Sequence, residues 1–133
     1  MGGLFSSIGV AGSGVTVYRK WLDAISDNVA NLSTVRATSQ EAFRARYVIA
    51  ETITSGDGGV QVGGTALGNA EGRVVYEPGH PLADADGNVR YPDIDLGSQM
   101  AQMIMAQRGY QANLAVVDRA KTAYEAALSV GRG

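Results

Sequence analysis

His80 is the chain's only histidine, in Pro78-Gly79-His80-Pro81-Leu82, with Asp84 and Asp86 close behind it. An imidazole near a carboxylate is the smallest kit for general acid–base work, but no nucleophile stands out beside the pair, and a ring between two prolines reads as a turn residue. Asp84, Asp86, Asn88 and Asp95 would place oxygens at positions one, three, five and twelve of a calcium loop. The glycine of that loop belongs at position six and the twelfth ligand should be a bidentate Glu, whereas Gly87 falls at four and Asp95 at twelve. Gly9-Val10-Ala11-Gly12-Ser13-Gly14 could cradle a phosphate at a helix start, yet no strand precedes it and no Lys fills the P-loop position. A flexible N-terminal tail is the expectation there. With no cysteine there is no thiolate metal site and no disulfide. The sequence therefore predicts no catalytic residue, no metal and no cofactor.

The elements that would hold such residues point to assembly. Apolar residues Val15, Tyr18, Leu22, Ile25, Val29 and Leu32 follow a spacing of alternating three and four, a heptad seam, with Ser13 as N-cap. This predicts a helix over 13–32. Leu96, Met100, Met103, Gln107, Tyr110, Leu114, Val117, Lys121, Tyr124 and Leu128 repeat the pattern, broken only by Gln107 and Lys121. A helix of roughly 33 residues spans about 50 Å, more than the diameter of roughly 35–40 Å of a compact chain this long. The chain should be mainly α, an elongated antiparallel coiled-coil hairpin of N- and C-terminal helices with a small β-rich or extended middle region. Its divisions are 1–35, 36–93 and 94–133. In the middle, 42–54 reads as extended chain, 55–59 as a Gly-rich link, Val60-Gln61-Val62 and Arg73-Val74-Val75-Tyr76 as short strands. Gly63-Gly64, Ala70-Glu71-Gly72 and Asp86-Gly87 read as turns.

A net charge of -2 with 18% charged residues leaves no basic surplus for phosphates, so nucleic acid is not an expected partner. The first ten residues carry no basic leader and no unbroken apolar run, so neither a cleaved signal nor membrane insertion is expected.

Three blocks carry a resemblance. Ser26-Asp27-Asn28-Val29-Ala30-Asn31-Leu32-Ser33-Thr34 resembles the Asn-x-Ala-Asn-x-x-Thr signature that closes the N-terminal helix of flagellar rod and hook proteins. Val75-Tyr76-Glu77-Pro78-Gly79-His80-Pro81-Leu82-Ala83-Asp84, continuing to Ile94, is similar to the Tyr-Asp-Pro-x-His-Pro-x-Ala-Asp segment of the proximal-rod branch of that family. Met100 to Asn113 resembles its Met-Ile-x-Ala-x-Arg-x-Tyr-Gln-Ala-Asn block. Glu77, Asn88 and Gly109 depart from the usual Asp, Tyr and Ser or Ala.

The resemblance implies a structural subunit of the flagellar basal-body rod, in the periplasmic part of the envelope, packing side by side with others in the tube that transmits torque. It implies as partners other proximal and distal rod proteins, the rod adaptor and MS ring, further copies of itself, and the flagellar type III export apparatus. A cytoplasmic coiled-coil adaptor shares every periodicity argument and differs only in the motif blocks. The expected assembly residues are Val15, Tyr18, Leu22, Ile25, Asn28, Val29, Asn31 and Leu32 on the first helix, and Met100, Met103, Arg108, Tyr110, Gln111, Asn113, Leu114, Val117, Tyr124 and Leu128 on the second. Asn28 and Asn31 lie where amide side chains can satisfy exposed helix-end groups and fix the exit of the chain. Arg108, Tyr110, Gln111 and Asn113 cluster within two turns as a polar and aromatic contact surface.

Overall fold

The structure, a computed structural model, describes residues 2–132. Helix α1 (Gly2–Ala30) is followed by strands β1 (Arg46–Thr52), β2 (Val60–Leu67), β3 (Arg73–Tyr76) and β4 (Asn88–Tyr91), and then by helix α2 (Leu96–Arg132). The 37 residues of α2 make a rod of about 55 Å. Contacts between the helices run in opposite order: Phe5 meets Tyr124, the Asn113 side chain lies over Gly14, Tyr18 lies over Gly109, and Asn28 bonds Gln99. The pair is antiparallel.

The expected N-terminal tail is instead helical. Glycines disfavour an isolated helix by roughly 1 kcal/mol each relative to Ala, but tertiary packing overrides propensity where a partner surface is supplied. Here α2 supplies it: the Phe5 and Tyr124 rings pack at 5.2 Å, and Ala11 is buried. Ser13, expected as N-cap, is inside the helix, where its hydroxyl donates to the Val10 carbonyl (2.6 Å) and accepts the Val60 N–H (3.0 Å).

β1 and β2 form an antiparallel hairpin with a bulge after Ile49. Gly63 and Gly64, expected as a turn, lie within β2, and Gly63 is the extra residue of the bulge. The true turn is the Gly-rich link, with Gly56, Gly58 and Gly59 at positive φ. β3 and β4 make a second antiparallel ribbon in register Arg73 with Tyr91 and Tyr76 with Asn88. Asp86-Gly87 does turn the chain, with Gly87 at φ 81°, but it closes a longer connection over 77–87 instead of a tight hairpin.

The segment between α1 and β1 is the joint. Arg36 exchanges both backbone hydrogen bonds with Arg90 (2.9 Å each), the Ala42 N–H donates to Ala70 (2.8 Å), and the Gly68 N–H donates to Ala45 (2.7 Å). Arginine side chains reinforce it by donating to main-chain carbonyls: Arg44 to Gly68 (2.8 Å), and Arg90 to Thr38 (2.8 Å) and to Glu71. Val89, Ala42 and Ala45 are buried beneath. Among the described residues, no helix is long and apolar enough to cross a membrane.

Candidate assembly interface

Helix α1 is enclosed from two directions, by α2 and by the β1–β2 hairpin, while α2 packs along α1 alone. Reading burial along each helix locates the contact face. On α1 it follows Ala11, Gly14, Tyr18, Trp21, Ile25 and Asn28, and on α2 it follows Gln99, Met103, Ala106, Tyr110, Asn113, Val117, Ala120 and Tyr124. Both are heptad series. Two of the six α1 positions, Tyr18 and Ile25, and four of the eight α2 positions, Met103, Tyr110, Val117 and Tyr124, belong to the expected seams, and all the others except Ala11 lie one residue before an expected position. Val15, Leu22 and Val29 are half-buried beside the seam proper, Leu32 lies in the turn beyond the helix, and Met100, Leu114 and Leu128 are exposed on the flank of α2. Gln107 and Lys121, which interrupt the expected α2 seam, are exposed as well.

The displacement has a steric cause. Small residues let backbones approach, and aliphatic side chains such as Leu22, Val29 and Leu114 then lie off the closest line of contact. A Cβ built on Gly14 would come within 2.7 Å of the Asn113 amide, and one on Gly109 would strike the Tyr18 ring. Gly109, a departure from the pattern of the resembled family, is therefore matched to Tyr18, whose ring also stacks on Trp21 at 6.0 Å.

Asn28 is the centre of the polar contacts. Its side chain is 1% exposed. The amide nitrogen donates to the Arg46 carbonyl (3.0 Å) and to Gln99 Oε1 (3.1 Å), and its oxygen accepts the Arg46 N–H (2.8 Å). One side chain thus mimics a strand partner for the start of β1 and locks it to both helices. Asn31 behaves as the helix stop that its type permits: its Nδ2 donates to the Asp27 carbonyl (2.8 Å) and its oxygen accepts from the Thr34 hydroxyl (3.1 Å). An Asp27–Arg46 ion pair flanks the junction, half exposed and hence worth about 0–1 kcal/mol.

The four-residue cluster on α2 is divided by its periodicity. Tyr110 and Asn113 turn toward α1, whereas Arg108 and Gln111 are exposed. Two residues outside the expected assembly set complete this region. Gln99 is buried against Asn28, and Asp95 caps α2, its carboxylate accepting the Ser98 N–H (2.8 Å). Asp95 followed three residues later by Ser98 at a helix start was a legible N-cap signal; a buried Gln has none.

The His80 segment is built as a turn. His80 Nδ1 accepts the Leu82 N–H (3.0 Å). Asp84 accepts from the Asn88 and Asp86 N–H groups (2.9 and 3.0 Å) and from the Thr38 hydroxyl (2.7 Å). Chiefly the Asn88 backbone donor, then the Thr38 hydroxyl, holds the Asp84 carboxyl below its ordinary pKa. The Tyr91 hydroxyl donates to Glu77 (2.7 Å), and that bond raises the phenol. These oxygens are occupied in shaping a loop, and no group of three potential metal ligands exists among the described residues.

The molecule is thus an antiparallel helix pair with an exposed outer face on α2 and a small β middle. The family model described as "Flagellar basal body rod FlgEFG protein C-terminal" matches residues 85–130. The flagellar basal-body rod protein FlgC of Salmonella typhimurium is 33% identical over 132 residues, covering 97% of this chain and 98% of that protein. FlgC of Borreliella burgdorferi is 32% identical over 98% of this chain and 99% of its own length, and FlgC of Bacillus subtilis 29% over 96% and 98%. The class is that of flagellar rod subunits. Within it, the chain belongs to the family of the flagellar basal-body rod protein FlgC.

Proposed function

We propose that the chain is a structural subunit of the proximal rod, with no catalytic role, and that it works by burying the outer faces of its helix pair against neighbouring rod subunits in the drive shaft of the motor. The observation that carries this reading is the uncovered apolar flank of α2, Met100, Ile104, Leu114 and Leu128, on a chain that matches the FlgC relatives end to end. Large apolar side chains left exposed at intervals along one helix fit a protein contact not made within the monomer.

In this reading the helix pair is a coiled-coil hairpin, residues 1–35 and 94–133 form the packed wall of the tube, and 36–93 stands as the smaller outer unit. Ile25, Asn28, Tyr110 and Asn113 hold the pair together, and Arg108, Gln111, Leu114 and Leu128 face neighbours. The rod adaptor, the MS ring, distal rod proteins and the type III export apparatus are the remaining partners.

Removal of the gene from its source bacterium, with the plasmid-borne chain as rescue, is the test. Loss of assembled rods, restored by the chain and by no Leu114→Asp copy, is the expected result. Normal basal bodies without it would refute the reading and favour a cytoplasmic adaptor.

A further inference from the structure

Charge is partitioned along this chain. Between residues 71 and 95 six carboxylates stand against Arg73 and Arg90, whereas α2 carries four cations against Asp118 and Glu125. Three of the six, Glu77, Asp84 and Asp86, lie in the connection at the tip of the β3–β4 ribbon, which holds no Lys or Arg, and among the described residues the ribbon's backbone approaches neither helix closely and is tied to the chain through the Arg36–Arg90 pairing. A two-stranded ribbon is marginally stable by itself in water. Its tip nevertheless presents Tyr76, 69% exposed, and Leu82, 44% exposed, beside Glu77 and Asp86.

The complementary surface lies on α2. At 100° per residue, Ile104, Arg108, Ala115 and Arg119 lie on the face opposite the α1 seam, and all are exposed. The two arginines are about 16 Å apart along the axis. Asp118 and Glu125 sit on the adjoining flank, so the outermost row carries positive charge only. Ala112 and Ala115 between the arginines leave room for a ring or a loop to approach.

We propose that the acidic tip of the β3–β4 ribbon docks on the outward Arg108, Ala115 and Arg119 face of α2 in a second copy of this chain. Tyr76 and Leu82 would cover Ile104 and the alanines, with the exposed Asp86 set against the arginines. Both halves of the contact belong to one sequence but to different patches, so the contact is heterologous, and such contacts propagate as helical arrays instead of closing as dimers. The inference rests on the rod-subunit reading for its setting, and its exposed ion pairs should weaken with salt.

The absence of native cysteine permits a direct test by disulfide cross-linking between differently tagged copies, one with Leu82→Cys and one with Ala115→Cys, in the purified full-length chain and in isolated basal bodies. We expect a mixed-tag dimer band in both. Asp86→Arg or Arg119→Glu should reduce its yield about fivefold, and the two reversals combined should restore it. Basal bodies that contain the chain without this link, or with Leu82→Cys linked to a different protein, would overturn the inference. If the cysteine-free chain is missing from basal bodies, the rod reading fails, and the purified chain alone decides: a salt-sensitive, charge-reversible link upholds the contact and its absence overturns it.

Discussion

The two helices differ in how much of their surface the chain itself covers. α1 is clasped between α2 and the β1–β2 hairpin, with Ala11, Val17, Ala24, Ile25 and Asn28 buried, while α2 of greater length buries only Gln99, Ala106 and Ala120. The difference teaches that α1 is the internal mast of the subunit and α2 its outward wall. A substitution on α1 should therefore be felt in the isolated chain, and one on the far side of α2 only in the assembly.

Asn28→Leu should have the largest effect. It leaves the buried Gln99 amide without its partner, at about 1–3 kcal/mol, and removes the part-buried bonds to the Arg46 N–H and C=O at less each, so urea unfolding should show a loss of about 2 kcal/mol or more. Unchanged stability would mean that the junction is not what fixes α1.

Gly109→Ala is next. Added helix propensity favours it by up to about 1 kcal/mol, but overpacking against the Tyr18 ring costs about 1–3 kcal/mol, so a net loss of about 1 kcal/mol is expected in the same assay. Combination with Tyr18→Ala should turn the alanine into a stabilising change relative to Tyr18→Ala alone, and a strictly additive cycle would break the proposed close approach.

Leu114→Asp sharpens the contrast from the other side. The residue is 39% exposed, so the isolated chain should lose no more than about 0.5 kcal/mol, while recovery of the variant in basal bodies should fall steeply. A large loss of monomer stability would move Leu114 back into the seam.

The smallest effect concerns Asp84. Its folded pKa is depressed below 3.8, so the turn it holds keeps its stabilisation above that value and loses it as pH falls through the lower, folded value. Amide protection at Asn88 should decline on acidification in the parent chain and be nearly flat with pH in Asp84→Asn.

Both long helices, the strands Arg73–Tyr76 and β1, and the turns at Gly87 and Gly72 were legible from period and turn chemistry. The phase of the seams was not. Apolar periodicity gives weight to aliphatic side chains such as Leu22, Val29, Met100 and Leu114, and here those lie beside the seam, while its closest contacts involve Gly14, Ala106, Gly109 and Ala120 and the amides of Asn28, Gln99 and Asn113. The helical N-terminus was hidden for the same reason: its glycines read as loop until the α2 surface that covers them is known. Asn31 was readable because capping is local, and the three-way role of Asn28 was not, because its partners lie 18 and 71 residues away.

That last separation also sets an order of events. Asn28 cannot make its bond to Gln99 until three quarters of the chain has arrived, and the aromatic contact of Phe5 must wait for Tyr124 near the very end. Folding rates fall as such distant pairings come to dominate a structure. A chain growing from its N-terminus during synthesis thus carries an unclosed first helix until most of it has been made, and the last turns of the second helix act as the clasp that completes it.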